Sequence, residues 1–387
     1  MSRLEQLIQQ LCPDGVEYRS IGSLIKRVRE KAKNDGTIKQ VYVVSNTLGM
    51  VRAEDFRENI IHSEDTSNYW IVRPTMFAYN PSRLNIGSIA MLKSKEPGLV
   101  SPMYVVFSID QSIIEKEYFE YLITSPNIMA KVNSYKEEGA RFRFDFERWN
   151  WIQIPVPPVP IQQEIVRILD QFTELTTELT TELTARKKQY EYYRDELFRT
   201  AAATDIYYLN QMSKNCDNQR QPVTSSNRIA GKYPYYGASG IVDYVNDYIF
   251  DGDYLLISED GANLLARSTP IAFSISGKNW VNNHAHVLQF DTYETRKYVE
   301  IYLNSLDLSP YITGGAQPKL NQKNLNKIPI VLPSPDEQRR IVSILDKFDA
   351  LCNDQTSGLP AEIAARQKQY EYYRDKLLTF PERKKEG

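Results

Sequence analysis

At 387 residues the chain is too long for one ordinary hydrophobic core, and 42% hydrophobic with 25% charged residues describes folded domains, not a disordered polymer. A formal net charge of −2 excludes a simple basic DNA-coating protein, although a large chain can still confine its positive field to one face. No apolar run reaches membrane-spanning length, the start MSRLEQLIQQLCPDG lacks a signal peptide's apolar stretch, and three distant cysteines (Cys12, Cys216, Cys352) without a CxxC give little support for zinc or disulfides, so a cytoplasmic protein that touches no membrane is expected.

In chain order, the segment from about 15 to 150 mixes strand and helix patterns. KRVREKAK (26–33) carries five basic residues against one acid and reads equally as a solvated face or a phosphate-contacting stretch. QVYVVSN and MYVVF are strand-like, EKEYFEYLITSPNIMAKVNSY is an amphipathic helix, and FRFDFERWNW, alternating Phe with charge, reads first as an edge strand. The prolines of IPVPPVP end this part and release a helix from Ile161 to Thr200. Its apolar stripe comprises Ile161, Ile165, Ile168, Leu169, Phe172, Leu175, Leu179 and Leu183, continued by Tyr190, Tyr193 and Leu197. At 1.5 Å per residue it would be about 60 Å long. A second mixed segment follows at 205–330, with YLLIS and HVLQF as strands and YETRKYVEIYLNSL as a helix. The last helix, Asp336 to Leu378, carries Ile341, Ile344, Leu345, Phe348, Leu351, Ile363, Tyr370, Tyr373 and Leu377, and Gly358 with Pro360 should break or kink it.

The chain repeats itself. ARKKQYEYYRDELF (185–198) returns as ARQKQYEYYRDKLL (365–378) with 11 of 14 positions identical, and IVRILDQF (165–172) returns as IVSILDKF (341–348). The same displacement of 176 residues sets EGARFRFDFERWNWIQIPVPPVP on GGAQPKLNQKNLNKIPIVLPSPD, with Gly139-Ala140 on Gly315-Ala316. Weaker echoes pair NPSRLNIGSIAMLK with EDGANLLARSTPIAF and LVSPMYVVF with WVNNHAHVLQF. The plan is globular part, Pro-rich hinge and long helix, twice over. A lone helix of such length with one apolar face needs a partner, and its own second copy is the obvious one. The two should pair as a coiled coil, antiparallel if the halves close around a pseudo-twofold axis. Helices that merely stiffen the molecule fit the same pattern.

No catalytic constellation is visible. GxxxxGK[ST], GxSxG and HExxH are absent, YNPSR lacks the second proline of an amino-methyltransferase NPP[FY], and TGGAQPK runs into an extended segment instead of a helix. His284 and His286 would share one face of a strand as metal ligands sometimes do, but no Cys or carboxylate stands at ligand spacing, so a hydrogen-bonding or core histidine is the better reading and no metal is expected.

What the chain does offer is polar loops. The first half presents Asn80, Arg83 and Asn85 in NPSRLN, and Arg141 and Arg143 in ARFR, which share a face if that segment is a strand. The second offers Tyr236 in YPYYGASG, Asn263 and Arg267 in DGANLLAR, Asn282, Asn283 and His284 in VNNHAH, and Gln317, Lys319, Asn321 and Lys323 in AQPKLNQKN. Arg, Asn and Gln read base edges bidentately in the major groove, and their recurrence at equivalent places in both halves points toward duplex DNA.

Between the halves stands TELTTELTTELT (173–184). Four helical residues advance about 6 Å and rotate about 40° past a full turn, keeping Leu175, Leu179 and Leu183 nearly on one face. Copies can therefore be added or lost without destroying helix pairing. Since a base pair advances about 3.4 Å and turns about 35°, one unit matches one or two base-pair steps. The tract reads as an adjustable ruler, or as a slippage-prone stretch encoding a solvated helix.

With IPVPPVPIQQEIVRILDQF, GGAQPKLNQKNLNKIPI, the TELT words and the twin QYEYYRD signatures, the whole chain resembles the specificity subunits of Type I restriction–modification systems. That resemblance implies an α+β protein: two α/β target-recognition domains joined by two long helices packed as an antiparallel coiled coil, in a pseudo-twofold internal repeat. It divides the chain into a first target-recognition domain (1–152), a central helical spacer (153–203), a second target-recognition domain (204–330) and a C-terminal helical spacer (331–387). Each domain would read one half of a split double-stranded DNA target, with the helices setting the spacer. Two methyltransferase subunits would dock and supply S-adenosylmethionine-dependent adenine methylation, joined by restriction/translocase subunits. The chain itself would be non-catalytic and bind no cofactor. The family's recognition motifs match YPYYGASG, SEDGANL, NNHAHVL and GGAQPKLN in the second domain, whereas the first has YNPSRLNIG and GARFRF there, which implies a different half-site.

The duplicated heptapeptide cannot place all its residues in one helix stripe. Gln189, Tyr192 and Arg194, with Gln369, Tyr372 and Arg374, suit two copies of one partner, hypothetically a methyltransferase subunit; alternatively, the matching residues pair with each other across the coiled coil. Rival readings are a stand-alone methyltransferase or nuclease, a coiled-coil protein scaffold without a DNA role, and a specificity subunit of a methylation-only system.

Overall fold

The computed structural model describes residues 2–56, 65–135, 142–201, 205–315 and 317–383. They form two compact units, one of residues 1–180 with 363–387 and the other of 181–362. Seven longer helices are labelled in chain order: α1 (Arg3–Leu11), α2 (Lys116–Ile123), α3 (Pro126–Ser134), α4 (Val159–Thr200), α5 (Tyr293–Ser305), α6 (Pro335–Asn353) and α7 (Leu359–Leu377).

Unit 1 contains two four-stranded sheets. One runs Ile25–Val28, Val105–Ile109, Phe77–Tyr79, Ile89–Met91, and the other Gly49–Arg52, Val41–Ser45, Gly98–Val100, Trp70–Val72. Side chains alternate across each strand. Phe77 and Tyr79 therefore enter a core with Phe119 of α2 and with Trp149, while Ala78 faces Val44, Val72 and Val100 of the second sheet. Both faces are covered, which explains why FAY and VVF are apolar without a break.

Unit 2 repeats the same strand order. Lys214–Asn215, Ala285–Gln289, Tyr254–Ser258 and Ala272–Ile275 form one sheet; Gly240–Val245, Ala230–Gly237, Lys278–Val281 and Phe250–Asp251 form the other. Leu255 and Ile257 face α5, and Leu256 faces the second sheet. Each unit also has a two-stranded ribbon, Glu17–Ser20 with Gln153–Val156 and Asp205–Tyr207 with Ile330–Leu332. The duplication read from the sequence is thus a duplication of topology.

α4 is one unbroken helix of 42 residues, TELT words included. Threonine is a modest helix former, and here Thr173, Thr176, Thr177 and Thr180 each donate their hydroxyl to the carbonyl four residues back. Ile161, Ile165 and Leu169 are fully buried in unit 1, each contributing about 1.5–3 kcal/mol of apolar transfer. In unit 1 α4 packs against the last helix: Phe172 stacks on Tyr373, and Val159 at its start lines one cleft with Arg383 near the chain end. In unit 2 Tyr193 lies against Phe348, while the charges of Lys187 and Arg186 reach the Cys352 thiol. Within each unit the paired segments run antiparallel.

The second long helix is divided, as Gly358 and Pro360 foretold. α6 ends at Asn353, and Asp354 takes up the next turn, accepting hydrogen bonds from the Thr356 amide and hydroxyl and from Ser357. α7 starts at Leu359 with Pro360 in its first turn.

Three readings differ from the structure. The segment read as one helix over EKEYFEYLITSPNIMAKVNSY is two, because Pro126 cannot continue α2 and Ser125 caps α3 instead. FRFDFERWNW is no edge strand. Residues 142–145 are irregular and Phe146–Trp151 is a 3-10 turn, because Phe144 and Trp149 are drawn into the core. Arg143 consequently sits on no strand, and Arg141, like Gly139, Ala140 and Ala316, lies outside the described residues.

Candidate nucleic-acid interface

Four motif segments of the second half converge in unit 2. The Asn282 amide donates to the Tyr236 carbonyl (3.1 Å), and the Ser258 hydroxyl to the Ala238 carbonyl. The Glu259 amide donates to the His284 carbonyl at 2.8 Å, and the Leu320 amide to the Glu259 carbonyl at 2.7 Å. Asp260 meets the exposed His284 ring at 2.9 Å, and the Gly261 amide bonds the Pro318 carbonyl at 3.1 Å. YPYYGASG, SEDGANL, NNHAH and GGAQPKLN therefore build one surface, Ala316 apart.

Behind that surface is a charged cluster. Buried His286 sets Nδ1 2.6 Å from Asp217 Oδ2 and Nε2 2.8 Å from the Leu320 carbonyl. Arg220 bridges Glu259 Oε2 (2.7 Å) and the Ala285 carbonyl (2.8 Å), and Lys319 reaches Glu259 Oε1 at 3.2 Å. Burial works to raise the Asp217 carboxyl, but the hydrogen bond and charge of His286 with the Val287 amide outweigh it and hold the group below the ordinary aspartate value. Glu259 is likewise held low, because Arg220, His286 and Lys319 outweigh its burial.

Unit 1 brings its equivalents together differently. The Phe144 amide donates to the Pro81 carbonyl at 2.9 Å, and the Tyr79 hydroxyl to the Phe144 carbonyl at 3.2 Å. Ser88 donates its hydroxyl to the Val44 carbonyl at 3.3 Å, and Asn80 Nδ2 lies 3.5 Å from Met103 Sδ. YNPSRLNIG, FRF, the end of the Val41–Ser45 strand and the 101–104 turn thus meet, with Phe144 packed on Trp149 at 4.8 Å between ring centroids.

The nominated side chains fall into two groups. Arg83, Arg143, Asn283, His284, Gln317 and Lys319 are exposed on these surfaces. Asn80, Asn263 and Arg267 are engaged in the fold. Buried Asn80 accepts from the Ser82 amide, Asn263 accepts from Ser268 and Thr269 and donates to the Thr269 carbonyl, and Arg267, at φ 52°, donates to the Leu306 carbonyl. Asn85 is half-buried, as is Tyr236, whose ring leans on Phe273. Sequence reasoning did not single out the exposed apolar residues beside them: Leu48, Ile86 and Met103 in unit 1 and Leu265 in unit 2. It also missed Asp217, Arg220 and Glu259, which no local pattern links to His286. Of KRVREKAK, Lys31 sits 4.1 Å over Trp70, while Lys26, Arg29 and Lys33 are exposed.

On the helices, Tyr192 and Tyr372 are 65% and 62% exposed, the outward members of edge-to-face pairs with Tyr193 and Tyr373. The inward tyrosines pack on the IVxILDxF copies of their own units. Gln189 and Gln369 accept from Arg186 and Arg366, and Arg194 and Arg374 bond Asp195 and Asp375.

The sequence profile of the type I restriction modification DNA specificity domain matches residues 13–187 and 205–365, most of the chain in two copies. The chain belongs to this family. It is 34% identical over 313 residues to the EcoR124I/EcoR124II specificity subunit of Escherichia coli, covering 73% of this chain and 75% of that one. A candidate type I restriction enzyme specificity subunit of Haemophilus influenzae is 40% identical over 181 residues, a stretch that is 46% of each chain. In fold, the chain is similar to the S subunit of a type I system from M. genitalium (TM-score 0.57, 14% identity, 94% and 96% of the two chains). It is also similar to a chain from a type I restriction–modification system whose assembly was solved (TM-score 0.62, 16% identity, 95% and 98%). No helix among the described residues is long and apolar enough to cross a membrane.

Proposed function

We propose that this chain is the non-catalytic DNA-recognition subunit of a type I restriction–modification complex, each unit reading one half of a bipartite duplex target. The observation that carries this is the pairing of one strand order, built twice, with loop surfaces that differ in chemistry. Equal scaffolds position two readers alike, and unequal loops give each its own bases. Arg83 and Arg143 would serve the first half-site, with Asn283, His284, Gln317 and Lys319 serving the second. Asn80, Asn85, Asn263, Arg267 and Tyr236 would shape the loops that present them.

α4 and the TELT words would set the spacer, since unit 1 ends and unit 2 begins inside that tract of one continuous helix. Two methyltransferase subunits would dock on the twin patches around Tyr192 and Tyr372, bringing S-adenosylmethionine with them. Restriction/translocase subunits would complete the complex, in the cytoplasm where the cell's DNA lies.

Methylome sequencing of cells expressing the chain with its methyltransferase tests the reading. A split adenine-methylated motif is expected, whose spacer shortens on deletion of one TELT unit while both half-sites stay fixed. A motif that keeps its spacer overturns the ruler, and the absence of any motif dependent on this chain overturns the recognition role.

A further inference from the structure

The two units close their reading loops by different chemistry, although the closing residues are equivalent. Phe144 and Leu320 stand 176 residues apart, the displacement of the duplication. Each donates its amide to the loop at the end of a central strand, Phe144 to Pro81 and Leu320 to Glu259. What holds the carbonyl of each differs. The Phe144 carbonyl accepts a hydrogen bond from the Tyr79 phenol, whose burial pushes its own ionisation far above neutrality. The Leu320 carbonyl faces the Nε2 of His286.

That histidine joins two elements of the unit. A backbone carbonyl only accepts, so Nε2 donates to Leu320. Nδ1 lies 2.6 Å from Asp217 Oδ2, and Asp217 Oδ1 accepts from the Val287 amide at 2.8 Å. The charged groups around the ring are Asp217 and Arg220 from the 215–220 segment, Glu259 at the end of the Tyr254–Ser258 strand, 3.8 Å from Nδ1, and Lys319 on the loop itself. Without the ring the Leu320 carbonyl loses this donor and the loop loses its link to Asp217.

We infer that His286 is a positioning residue for the second half-site: bridging Asp217 and the Leu320 carbonyl, it holds the loop bearing Gln317 and Lys319 in its reading conformation, whereas Tyr79 performs that task for the first half-site. The inference rests on the proposed DNA-recognition role and adds to it a separate latch for each reader.

The loop is tested first, without DNA. Hydrogen exchange of the full chain should show protection over 317–321 falling about tenfold in H286A, as loss of one buried hydrogen bond requires, while 142–146 stays unchanged. Y79F should loosen 142–146 and leave 317–321 as it is. Unchanged protection over 317–321 in H286A, or an equal loss in both segments, overturns the inference.

The assembled methyltransferase complex is then assayed on duplexes altered in one half-site at a time. H286A should weaken discrimination at the second half-site and leave the first unchanged, with Y79F weakening the first alone. Loss of both together in H286A, or of neither, overturns the inference. A loop that loosens in H286A, in a complex whose wild type methylates no bipartite duplex, refutes the recognition role and leaves His286 a latch without a reader to position.

Discussion

Phe172 stacks on Tyr373 with ring centroids 5.5 Å apart and planes 20° from parallel. Displaced by the duplication, the same two positions meet as Phe348 and Tyr193 at 5.7 Å. Each long helix thus gives its IVxILDxF segment to one unit and its QYEYYRD segment to the other. Y373A should destabilise unit 1 by about 1–3 kcal/mol through lost packing. The double-mutant cycle with F172A should show a coupling of about 0.5–1.5 kcal/mol beyond burial, read from denaturant unfolding.

The neighbouring tyrosines should behave oppositely. Tyr192 and Tyr372 are mostly in solvent, so Y192A and Y372A should leave thermal unfolding within about 0.5 kcal/mol of wild type. Retention of methyltransferase subunits in size-exclusion chromatography should fall with each and be lost with both. Unchanged retention in the double variant would remove these tyrosines from the docking surface.

Gly358 closes the turn between α6 and α7 by close approach. A Cβ there would stand 2.5 Å from the Ala350 carbonyl oxygen and 2.7 Å from that of Asp354, both backbone atoms with little room to yield. G358A should cost about 1–3 kcal/mol despite alanine's better helix propensity, visible as a lowered unfolding midpoint.

Glu115 gives unit 1 a pH dependence. Burial, and then the hydrogen bond with Glu117, push its carboxyl up to about 7 from an ordinary value of 4.5. The folded state therefore binds a proton that the unfolded state releases between these values, and stability falls as pH rises from about 4.5 to about 7. E115Q keeps an acceptor for the Tyr118 amide at the head of α2 while removing the charge. It should flatten that slope and exceed the wild type in unfolding midpoint at pH 8; a slope identical to the wild type would assign the dependence elsewhere.

The C-terminal segment should matter to unit 1 as a strand would. The Val16 amide donates to the Pro381 carbonyl, the Arg383 amide to the Val16 carbonyl, and the Tyr18 hydroxyl to the Phe380 carbonyl, over a buried Leu378 and Phe380. Removing residues 379–387 should render unit 1 sensitive to limited proteolysis while a fragment spanning 181–362 survives.

Repetition made most of this fold legible. The echoed QYEYYRD and IVxILDxF words, the Pro-rich hinges and the break at Gly358 and Pro360 are all local signals with direct structural outcomes. The reading failed where tertiary packing overrode pattern. Phe142, Phe144 and Phe146 alternate like a strand but lie in an irregular segment and a 3-10 turn, because the core draws in Phe144 and Trp149. At the interface the loops were visible and their internal division of labour was not. Asn263 spends its amide on Ser268 and Thr269, a use that residue type cannot reveal. Asp217 and His286 are 69 residues apart, and only the pairing of Lys214–Asn215 with Ala285–Gln289 brings them together.

Unit 2 is one continuous stretch of chain, whereas unit 1 needs both ends. A ribosome that has released residue 362 has supplied everything the second unit requires, yet the first, begun much earlier, still lacks the helix whose Tyr373 stacks on Phe172. Order of synthesis and order of completion are therefore reversed. The N-terminal half must wait through the making of the C-terminal half with Phe172 and the Val16–Tyr18 segment uncovered, and it is this half that chaperones would hold and proteases would find in a stalled or truncated chain.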